Sequence, residues 1–496
     1  MPNAWSEQGV SATSLFPIRR VRSLEILSTD ELNVIHLASL DLLENLGVKV
    51  FSNEALKILD ESGANVDYSK QTAKIPQHLV DEALKKCPKT IRLSARNQEL
   101  DVVLDGRHIF GTTDGTGLAT IDLDTGERRQ PTKDDVRKTA LMVDALDHIN
   151  MYYPTVTPLD CPGHAHVLHE YEAALNNTEK HFISGATYLP EEADFLLQMA
   201  STLVGGKEEL MKQPIISAVA CMMSPLIIPL KETEAALEFA KYHVPVILMT
   251  MPLTGATGPI TVAGSILVGN AQILGGIVAL QMASAGTPII YSSYPLSMEL
   301  KTGAFSVAFP EATLVTVGHI RMAKYYGLPS YGGGTVSSSK VPDEQAAYEK
   351  SLCALTCMLA GGDVCGTIGL FENYTVLCYE QMLIDYEMYE YMLKIAAGIE
   401  VNDETLAIET IYKVGAEGHF LAEKHTLKHA NEVWAPMLSD PRPYATWKEA
   451  GSKSVVERAR DKVREILSSH KPPDLDSGVK RRVHEVVEEG EKRIPH

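Results

Sequence analysis

Eight short apolar runs rich in β-branched residues recur along the chain, and each is followed by a turn and a helical pattern. A strand followed by a helix that crosses back over the sheet is the building unit of a parallel sheet. The predicted strands span 109–114, 151–157, 181–187, 214–221, 245–251, 288–294, 329–332 and 365–370. Eight such units favour closure into a barrel, because strands buried on both faces need a layer of helices outside them. The sequence therefore predicts an α/β fold, a (β/α)8 TIM barrel whose active site lies at the C-terminal ends of its strands.

The predicted helices of these units fall near 133–147, 164–177, 190–204, 230–242, 262–285, 310–325, 343–360 and 376–397. Helical patterns also flank the barrel, which divides the chain into a helical N-terminal cap (1–105), a catalytic barrel (106–400) and a C-terminal helical extension (401–496). Thr29 or Asp30 is expected to cap a helix that continues through Leu46. A hairpin is expected at 119–129, with its turn at 124–126. An amphipathic pattern at 452–469 predicts a helix packed on the barrel or on a neighbouring subunit.

Composition narrows the classes of partner and compartment. The chain has 45 Lys plus Arg against 64 Asp plus Glu, a net charge of −19, which disfavours a nucleic-acid partner because binding to phosphates depends on cationic side chains. Seven scattered Cys residues do not form the closely spaced set of a secreted disulfide framework, so reduced thiols and a cytoplasmic location are expected. The first ten residues lack the basic and apolar regions of a secretory signal.

An uncharged run at 260–286 is long enough to be considered as a membrane span. It contains Asn270 and Gln272 among several Gly and Ala residues, and it lies between two predicted strands of the repeating pattern. Both features favour a buried helix of the barrel, and no membrane association is expected.

The residues at the predicted strand ends exclude several chemistries. They are rich in Met, Thr, Tyr, Pro and Gly, and none supplies the Lys that a Schiff-base enzyme needs. Cys161, His164 and His166 lie close enough in sequence to suggest a zinc site, with Cys365 as a further candidate ligand. Spacing alone is a weak signal for a metal, so no metal ligand and no acid–base residue is assigned.

The same strand ends supply aromatic side chains. Aromatic faces attract a quaternary ammonium group through their quadrupole, by about 0.5–2 kcal/mol per contact. Asp114, Glu311 and Glu372 are placed to complement such a cation. A single aromatic residue is more often part of the core, so their concentration at one end of the barrel is what indicates a cation site. The aromatic residues at or just beyond a strand end are Tyr153, Tyr188, Tyr294, Tyr331, Phe371 and Tyr374, and Phe305 and Phe309 lie in the long loop after strand six.

Several motifs of this chain resemble the trimethylamine methyltransferase family. They are the stretch 325–350, which contains TyrGlyGlyGlyThrVal, the AspGlyThrGly motif at 114–117, PheProGluAla at 309–312, and the acidic, Tyr-rich helix after 376. The resemblance covers essentially the whole chain. It implies a barrel that demethylates a methylated amine and passes the methyl group to the cobalt of a separate corrinoid protein, with no tightly bound cofactor of its own.

The founding members of this family carry pyrrolysine near the Gly-rich end of strand seven, whereas 329–340 contains only ordinary residues here. The chain thus resembles the larger branch without pyrrolysine, which is associated with quaternary amines such as glycine betaine, proline betaine and carnitine. A quaternary ammonium leaves as a neutral tertiary amine when Co(I) attacks its methyl carbon, so no general acid is needed. Positioning and desolvation would be the main tasks of the protein.

The leading hypothesis is therefore a quaternary amine:corrinoid protein methyltransferase, a homo-oligomer whose barrel mouth receives the corrinoid protein. Its substrate site would be formed by the aromatic residues named above, other than Phe309, with Asp114 and Glu311, and the carboxylate of a betaine would contact the backbone of Gly332, Gly333 and Gly334 or the side chain of His164. Three alternatives stay open. They are a zinc-dependent methyltransferase acting on methanol or a thiol, a non-catalytic betaine-binding barrel, and a chain whose pyrrolysine was recorded under another letter.

Overall fold

The structure is a computed structural model that describes residues 18–19, 24–115 and 117–495. Eight parallel strands form a closed ring in which each strand pairs with the next and the eighth pairs with the first. The strands are β1 (His108–Thr112), β2 (Ile149–Tyr152), β3 (His181–Ala186), β4 (Ile216–Met222), β5 (Val246–Thr250), β6 (Ile289–Ser293), β7 (Ser330–Gly334) and β8 (Val364–Gly366). The predicted TIM barrel is confirmed, and the largest shift in a strand is at β2, which was predicted at 151–157.

At least one helix follows each strand on the outside of the barrel, and a second short helix, Lys207–Lys212, precedes β4. The main helices of the eight units are α1 (Lys133–Ala145), α2 (His166–Leu175), α3 (Pro190–Val204), α4 (Lys231–Ala240), α5 (Val262–Ala283), α6 (Pro310–Tyr325), α7 (Glu344–Ala360) and α8 (Tyr379–Ala396). Pro245, Pro288 and Pro329 stand immediately before β5, β6 and β7, where each carbonyl accepts a hydrogen bond from the neighbouring strand. Proline is tolerated at these positions because no ladder bond there needs its missing N–H.

The uncharged run at 260–286 forms α5, which is long and apolar enough to cross a membrane but is largely enclosed by the rest of the protein. It packs between α6 and the N-terminal helices Thr29–Asp41, Asn53–Glu61 and Gln77–Lys86. Its polar side chains have partners inside the protein: the Asn270 amide donates to Ser39 at 2.8 Å, and the Gln272 amide donates to the carbonyl of Met223 at 2.6 Å. The helix is apolar all round because both of its faces are covered.

The N-terminal segment contains short strands as well as helices. Val48–Val50, Asn65–Asp67 and Thr72–Lys74 form a small sheet with Ile227–Ile228. The first helix is capped by Ser28, whose hydroxyl accepts from the N–H of Glu31 at 3.3 Å while the Glu31 carboxylate accepts from the N–H of Ser28 at 2.8 Å. The predicted caps, Thr29 and Asp30, are wrong by one or two positions, because Ser28 with Glu31 completes a reciprocal capping box.

A hairpin of Ile91–Leu93 and Val102–Leu104 closes the N-terminal end of the barrel. The alternate residues Ile91, Leu93, Val102 and Leu104 are buried in the same hydrophobic cluster as the inward-facing residues of the barrel strands. The backbone after the hairpin's first strand bonds to the entrance of β4, where the N–H of Ser94 donates to the carbonyl of Pro214. We call this hairpin the plug.

The predicted hairpin after β1 is confirmed: Ala119–Ile121 pairs with Arg128–Arg129, and Gly126 in its turn has φ +72°. The predicted amphipathic helix, Val455–Ser469, packs on α8 and α1 through Ala459, Val463 and Ile466. A last helix, Ser477–Arg493, packs on α2 and α3.

The division into three domains stays a prediction. The first ten residues, for which no secretory signal is predicted, and Thr116 of the AspGlyThrGly motif lie outside the described residues.

Candidate active site

Four of the predicted tyrosines meet at the C-terminal end of the barrel interior. Tyr153 follows β2, Tyr294 follows β6, Tyr331 lies in β7, and Tyr374 lies in the loop after β8. The ring centroid of Tyr294 is 5.6 Å from that of Tyr331 and 5.7 Å from that of Tyr374, the second pair meeting edge to face. All four belong to, or pack against, the hydrophobic cluster inside the barrel. We call these residues the tyrosine chamber.

Asp114, two residues beyond β1, places a buried carboxyl group beside the tyrosine chamber. Its Oδ1 accepts the N–H of Gly115 at 2.8 Å, and the hydroxyls of Tyr294 and Tyr331 face it. Burial raises the pKa of Asp114 to about 6, because the hydrogen bonds offset only part of the desolvation. Among the described residues, Asp114 forms no ion pair with Lys, Arg or His. The chamber thus contains an acidic group whose charge lacks a cationic side chain.

The Tyr331 hydroxyl is a second buried polar group of the chamber. It is buried and reaches no partner at standard hydrogen-bond geometry within the described residues, although it faces Asp114. Burial raises the pKa values of Tyr153, Tyr294, Tyr331 and Tyr374 well above 10. The four phenols are therefore neutral at physiological pH, and they present ring faces and hydroxyl dipoles rather than charges.

Glu170 and His166 form an acidic and basic pair next to the chamber that the sequence reasoning missed. Both lie on α2, and His166 Nδ1 is 2.9 Å from Glu170 Oε1. A Cβ atom added at Gly185 would lie 3.6 Å from Glu170 Oε2 and 3.9 Å from the Tyr153 hydroxyl, so both groups reach the same point of β3. Burial raises the pKa of Glu170. The signal in the sequence was the spacing of four residues on one helix, which places the two side chains on one face.

Sulfur-containing side chains complete this part of the barrel interior. Met249 lies in the same cluster as the tyrosines, and Cys221 and Met251 pack against it. Burial, with Glu232 and Asp114 nearby, raises the pKa of Cys221 to about 12. Cys221 is therefore a neutral thiol rather than the thiolate that a nucleophilic cysteine needs.

The loop that carries Tyr374 has an unusual backbone. Glu372, Asn373 and Tyr374 have φ values of +50°, +56° and +74°, a left-handed run without glycine. Contacts on both sides hold it: Arg128 pairs with Glu372 at 2.7 Å, and the N–H groups of residues 372 and 373 donate to the carbonyls of residues 339 and 337. Strained backbone held in this way is concentrated at functional sites. Here it fixes the ring that meets Tyr294 edge to face.

The glycines at 332–334 are required by close packing. Gly333 has φ +70°, and a Cβ there would lie 2.2 Å from the Cys357 sulfur of α7; at Gly334, φ is +136° and a Cβ would lie 1.9 Å from the Gly366 carbonyl. At Gly332 a Cβ would meet the carbonyl of Ser293 at 2.9 Å. The N–H of Gly334 points to the sulfurs of Cys353 and Cys357. The carbonyl of Gly333 accepts the Tyr294 hydroxyl at 3.2 Å, so this run positions a chamber residue.

Other predicted site residues lie away from the chamber. Phe371 is fully buried in a separate cluster with Val376 and Ala346, where the Lys350 ammonium is 5.3 Å from its ring. His164 binds the C-terminal helix, with Nε2 2.9 Å from the carbonyl of Glu491. Phe305 is about half exposed, at 48%, on the loop after β6. Tyr188, 41% exposed on the loop after β3, is the exception, because it lies near enough to interact electrostatically with Tyr153 and Glu170. Glu311 is exposed at the start of α6.

The residues considered for zinc have separate partners. Cys161 Sγ faces Asp160, His164 contacts the C-terminal helix, and His166 pairs with Glu170. Cys365 is buried in a different cluster, between β8 and helices α7 and α8. Within the part of the chain that the structure describes, these side chains do not form a trio with ligand atoms close together. The arrangement therefore gives no support to a zinc site at 161–166.

The chain matches a family model described as trimethylamine methyltransferase (MTTB) over residues 3–495. Trimethylamine methyltransferase MttB of Desulfitobacterium hafniense (strain DSM 10664 / DCB-2) is 36% identical over 464 residues, covering 94% of this chain and 93% of the relative. MttB1 of Methanosarcina acetivorans is 32% identical over 474 residues, covering 95% and 96%. The glycine betaine methyltransferase of Desulfitobacterium hafniense (strain Y51) is 29% identical over 472 residues, covering 95% and 98%.

The solved structure of the Methanosarcina barkeri monomethylamine methyltransferase (MtmB) is similar in fold. It aligns with a TM-score of 0.51 at 11% identity, covering 89% of this chain and 88% of that one. At this identity the likeness supports the barrel fold alone. The family model and the relatives above 30% identity each span more than nine tenths of the sequence, and the chain therefore belongs to the trimethylamine methyltransferase family.

Proposed function

We propose that this methyltransferase takes its methyl group from a quaternary amine, such as glycine betaine, proline betaine or carnitine, and passes it to the Co(I) of a separate corrinoid protein. The observation that carries the proposal is the buried carboxyl group of Asp114 among four tyrosines, with no cationic side chain paired to it among the described residues. A buried carboxylate is costly unless a positive charge compensates it. A bound quaternary ammonium would supply that charge.

The chamber suits a cation that has no N–H. A trimethylammonium group cannot donate an N–H hydrogen bond, so its charge has to be met by aromatic faces and by a carboxylate at close range. Tyr153, Tyr294, Tyr331 and Tyr374 supply the faces, and Asp114 supplies the carboxylate. Glu170 lies on the β3 side as a second acidic group, but His166 already pairs with it, so Asp114 is the carboxylate assigned to the cation. This combination favours a quaternary amine over a neutral alcohol or thiol.

The reaction needs little acid–base chemistry from the protein. As the methyl carbon bonds to cobalt, the C–N bond breaks and its electron pair stays on nitrogen, so the amine leaves neutral and no proton moves. The chamber phenols and Cys221 are neutral because burial raises their pKa values, and they offer no competing nucleophile. The residues of this chain would orient one methyl group towards the mouth and keep water away from the site.

The barrel mouth carries exposed apolar side chains that suit a docking partner. Seven of the eight loops that follow barrel strands present at least one such residue, so a partner docked across the mouth would cover apolar side chains from most of these loops. A corrinoid protein has to dock at this end because its cobalt must reach the methyl carbon. The exposed residues are Leu118, Leu159, Tyr188, Met223, Ile260, Leu300, Phe305 and Val341. We call them the apolar rim.

The proposal includes a homo-oligomer in the cytoplasm. The four helices between residues 403 and 449 contribute no buried residue, and Tyr412, Leu421 and Val433 in this segment are between 76% and 85% exposed. An apolar groove with Leu352, Tyr391 and Ile395 lies between α7 and α8. Trp434 of the same segment lines one side of it, and a second copy could cover the apolar surface that stays exposed. None of the seven cysteines forms a disulfide bond, which suits a reducing compartment. Light scattering is expected to give a multiple of 54.2 kDa, and a monomeric mass would contradict the proposal.

The function is tested with the purified chain, a corrinoid protein reduced to Co(I), and a panel of methylated amines. We expect methyl-cobalt formation with one or more quaternary amines and none with trimethylamine, methanol or a thiol. Asp114→Asn should lower the rate for the active quaternary amine by at least tenfold, about 1.4 kcal/mol. Turnover with trimethylamine alone, or quaternary-amine binding without methyl transfer, would overturn the proposal. The second result would favour a non-catalytic binding barrel.

Metal analysis separates the proposal from the zinc-dependent alternative. Chelator treatment is expected to leave methyl transfer intact, because no metal ion takes part in the proposed step on this chain. Cys161→Ser should likewise retain the activity. Loss of turnover on chelation without unfolding, restored by zinc, would support the alternative.

A further inference from the structure

The C-terminal extension contains a cluster of potential metal ligands outside the tyrosine chamber. Glu404 lies in the helix Asp403–Leu406, and His425 and His429 lie in the helix Lys424–His429. One possible ligand atom from each of the three residues lies within 4.8 Å of the others. Within residues 24–115 and 117–495, this is the single trio of His, Cys, Asp or Glu side chains whose ligand atoms lie this near to one another.

The hydrogen bonds of His429 leave one ring nitrogen directed at Glu404. Its Nδ1 contacts the Glu432 carboxylate, and its Nε2 lies 3.1 Å from Glu404 Oε1. A metal-binding histidine characteristically donates its other ring N–H to a carboxylate or a carbonyl, which fixes the tautomer and the ring orientation. Glu432 is therefore placed to orient Nε2 as a ligand atom.

His425 shows the same pattern through a backbone group. Its Nε2 lies 3.0 Å from the carbonyl oxygen of Glu404 and makes the orienting hydrogen bond, so Nδ1 is the candidate ligand atom. The rings of His425 and His429 lie four residues apart on one helix face, with centroids 4.3 Å apart. The two histidines and the Glu404 carboxylate thus come from two helices and converge on one point.

We propose that Glu404, His425 and His429 bind a divalent transition metal ion, with Zn²⁺ as the best match, and that a water molecule completes the coordination. Two imidazoles and a carboxylate form a ligand set that suits zinc, whereas Ca²⁺ and Mg²⁺ prefer oxygen ligands alone. The Lys428 ammonium also contacts this carboxylate, with Nζ 2.6 Å from Glu404 Oε1. It would move towards solvent on metal binding, since Lys428 is exposed.

The proposed role is structural. The helices of this segment bury no residue against the barrel, so few apolar contacts hold Asp403–Leu406 against Lys424–His429. A metal ion shared by the two helices would close the intervening loop, and metal-binding energy would then contribute directly to folding of the segment. None of the three ligands belongs to the tyrosine chamber, so this site is independent of the proposed methyl transfer.

The test uses the full-length chain after dialysis against a chelator. Titration with Co²⁺ should give visible d–d absorption that saturates at one equivalent, and calorimetry with Zn²⁺ should give the same stoichiometry. His425→Ala and His429→Ala should each weaken binding by at least tenfold, and Glu432→Gln by roughly 10- to 100-fold through its orienting bond. His419→Ala is the matched control, because His419 is exposed in the same segment but lies outside the trio.

Zn²⁺ should also slow proteolytic cleavage between residues 399 and 449 of the wild-type chain but not of His429→Ala. The proposal is overturned if the wild-type chain shows no saturable binding of Co²⁺ or Zn²⁺, or if both His→Ala variants bind like the wild-type chain. If His429→Ala is already cleaved faster without metal, Glu404→Gln decides the matter. Wild-type affinity in Glu404→Gln would overturn the site, and a loss of tenfold or more would support it.

Discussion

Asp114 is a buried acid whose charged form is disfavoured in the folded protein. Its pKa is about 6, above the ordinary value of 3.8, because burial removes water from the carboxylate. Between these two pH values the folded state binds more protons than the unfolded state, so this residue makes the protein less stable as pH rises from about 4 to 6. A quaternary ammonium bound beside it would offset that loss at neutral pH.

Replacing Asp114 by Asn should therefore stabilise the protein above pH 6. The shift from 3.8 to about 6 corresponds to roughly 3 kcal/mol at most. Denaturant unfolding of both proteins at pH 4 and pH 7.5 gives the difference: the advantage of Asp114→Asn should grow with pH and reach its full size above pH 6. An advantage that is equal at both pH values would mean that folding does not shift the pKa of Asp114.

Variants of Tyr331 can separate the contribution of the aromatic ring to cation binding from that of the hydroxyl group. Its buried hydroxyl has no standard hydrogen bond within the described residues, so Tyr331→Phe should bind tetramethylammonium about as well as the wild-type chain. Tyr331→Leu removes the aromatic face and should weaken binding by roughly 2- to 30-fold, the equivalent of one cation–π contact. Calorimetric titration measures both. Equal affinities for the Phe and Leu variants would contradict a cation site formed by aromatic faces.

At the scale of elements, the chamber depends on how closely β7 packs. Gly333 and Gly334 both have positive φ, and the space that a side chain would need is taken by α7 and β8. This close approach brings the carbonyl of Gly333 to the Tyr294 hydroxyl. The end of β7 therefore acts as backbone support for the rings, together with the left-handed run 372–374 on the neighbouring loop.

Gly333→Ala should destabilise the protein far more than Gly126→Ala. Both glycines have nearly the same φ, +70° and +72°, but a Cβ at Gly333 would lie 2.2 Å from the Cys357 sulfur, whereas at Gly126 it meets nothing within 4 Å. Gly126→Ala should cost about 1 kcal/mol from its backbone conformation alone. Gly333→Ala should cost about 1–3 kcal/mol more, because the added methyl overpacks the core. Urea unfolding provides the comparison, and equal costs would show that β7 can move away from α7.

The sequence predicted the barrel well because its signals are local. Each strand is a β-branched run bounded by a turn, and a proline marks the entrance of three of them. The four chamber tyrosines were also predicted, since strand ends of a barrel share one face. Phe371 shows the limit: it stands one residue into a short strand, Leu370–Phe371, and its ring points to a separate cluster. Successive side chains along a strand point to opposite faces of the sheet, so a position near a strand end does not by itself predict that the side chain points into the barrel.

Glu170 was missed for a related reason. It lies on α2 rather than at a strand end, and only the packing of that helix over Gly185 brings its carboxylate towards Tyr153. The trio of Glu404, His425 and His429 depends likewise on a contact between two helices about twenty residues apart. Neither tertiary contact has a signature in the local pattern of the sequence.

At the scale of the whole molecule, the two ends of the barrel differ in what they expose. The C-terminal end presents the apolar rim, while the plug occupies the N-terminal end with its alternate residues buried in the barrel core. A protein partner that needs access to the tyrosine chamber therefore meets an apolar surface at the end where the chamber lies.

Substitutions in the apolar rim should weaken docking of the partner protein and leave binding of the amine unchanged. The double variant Leu300→Ser and Phe305→Ser is expected to raise the KM for the corrinoid protein by at least tenfold, while tetramethylammonium affinity stays within about twofold, since the loss is that of buried apolar area at an interface. Val103→Ser is the control, because Val103 is exposed on the plug at the opposite end. An unchanged KM in the rim variant, or an equal rise in the control, would contradict docking at the mouth.

The plug has a kinetic consequence. The hairpin of Ile91–Leu93 and Val102–Leu104 fills the far end of the barrel, so the mouth is the open end under the proposed function. A docked corrinoid protein would then block the path of the small molecule, so the amine would have to bind first, and the demethylated product would be released only after the methylated partner has left. Initial-rate measurements should therefore show a compulsory order of addition, with excess corrinoid protein inhibiting turnover by occupying the mouth of the empty enzyme.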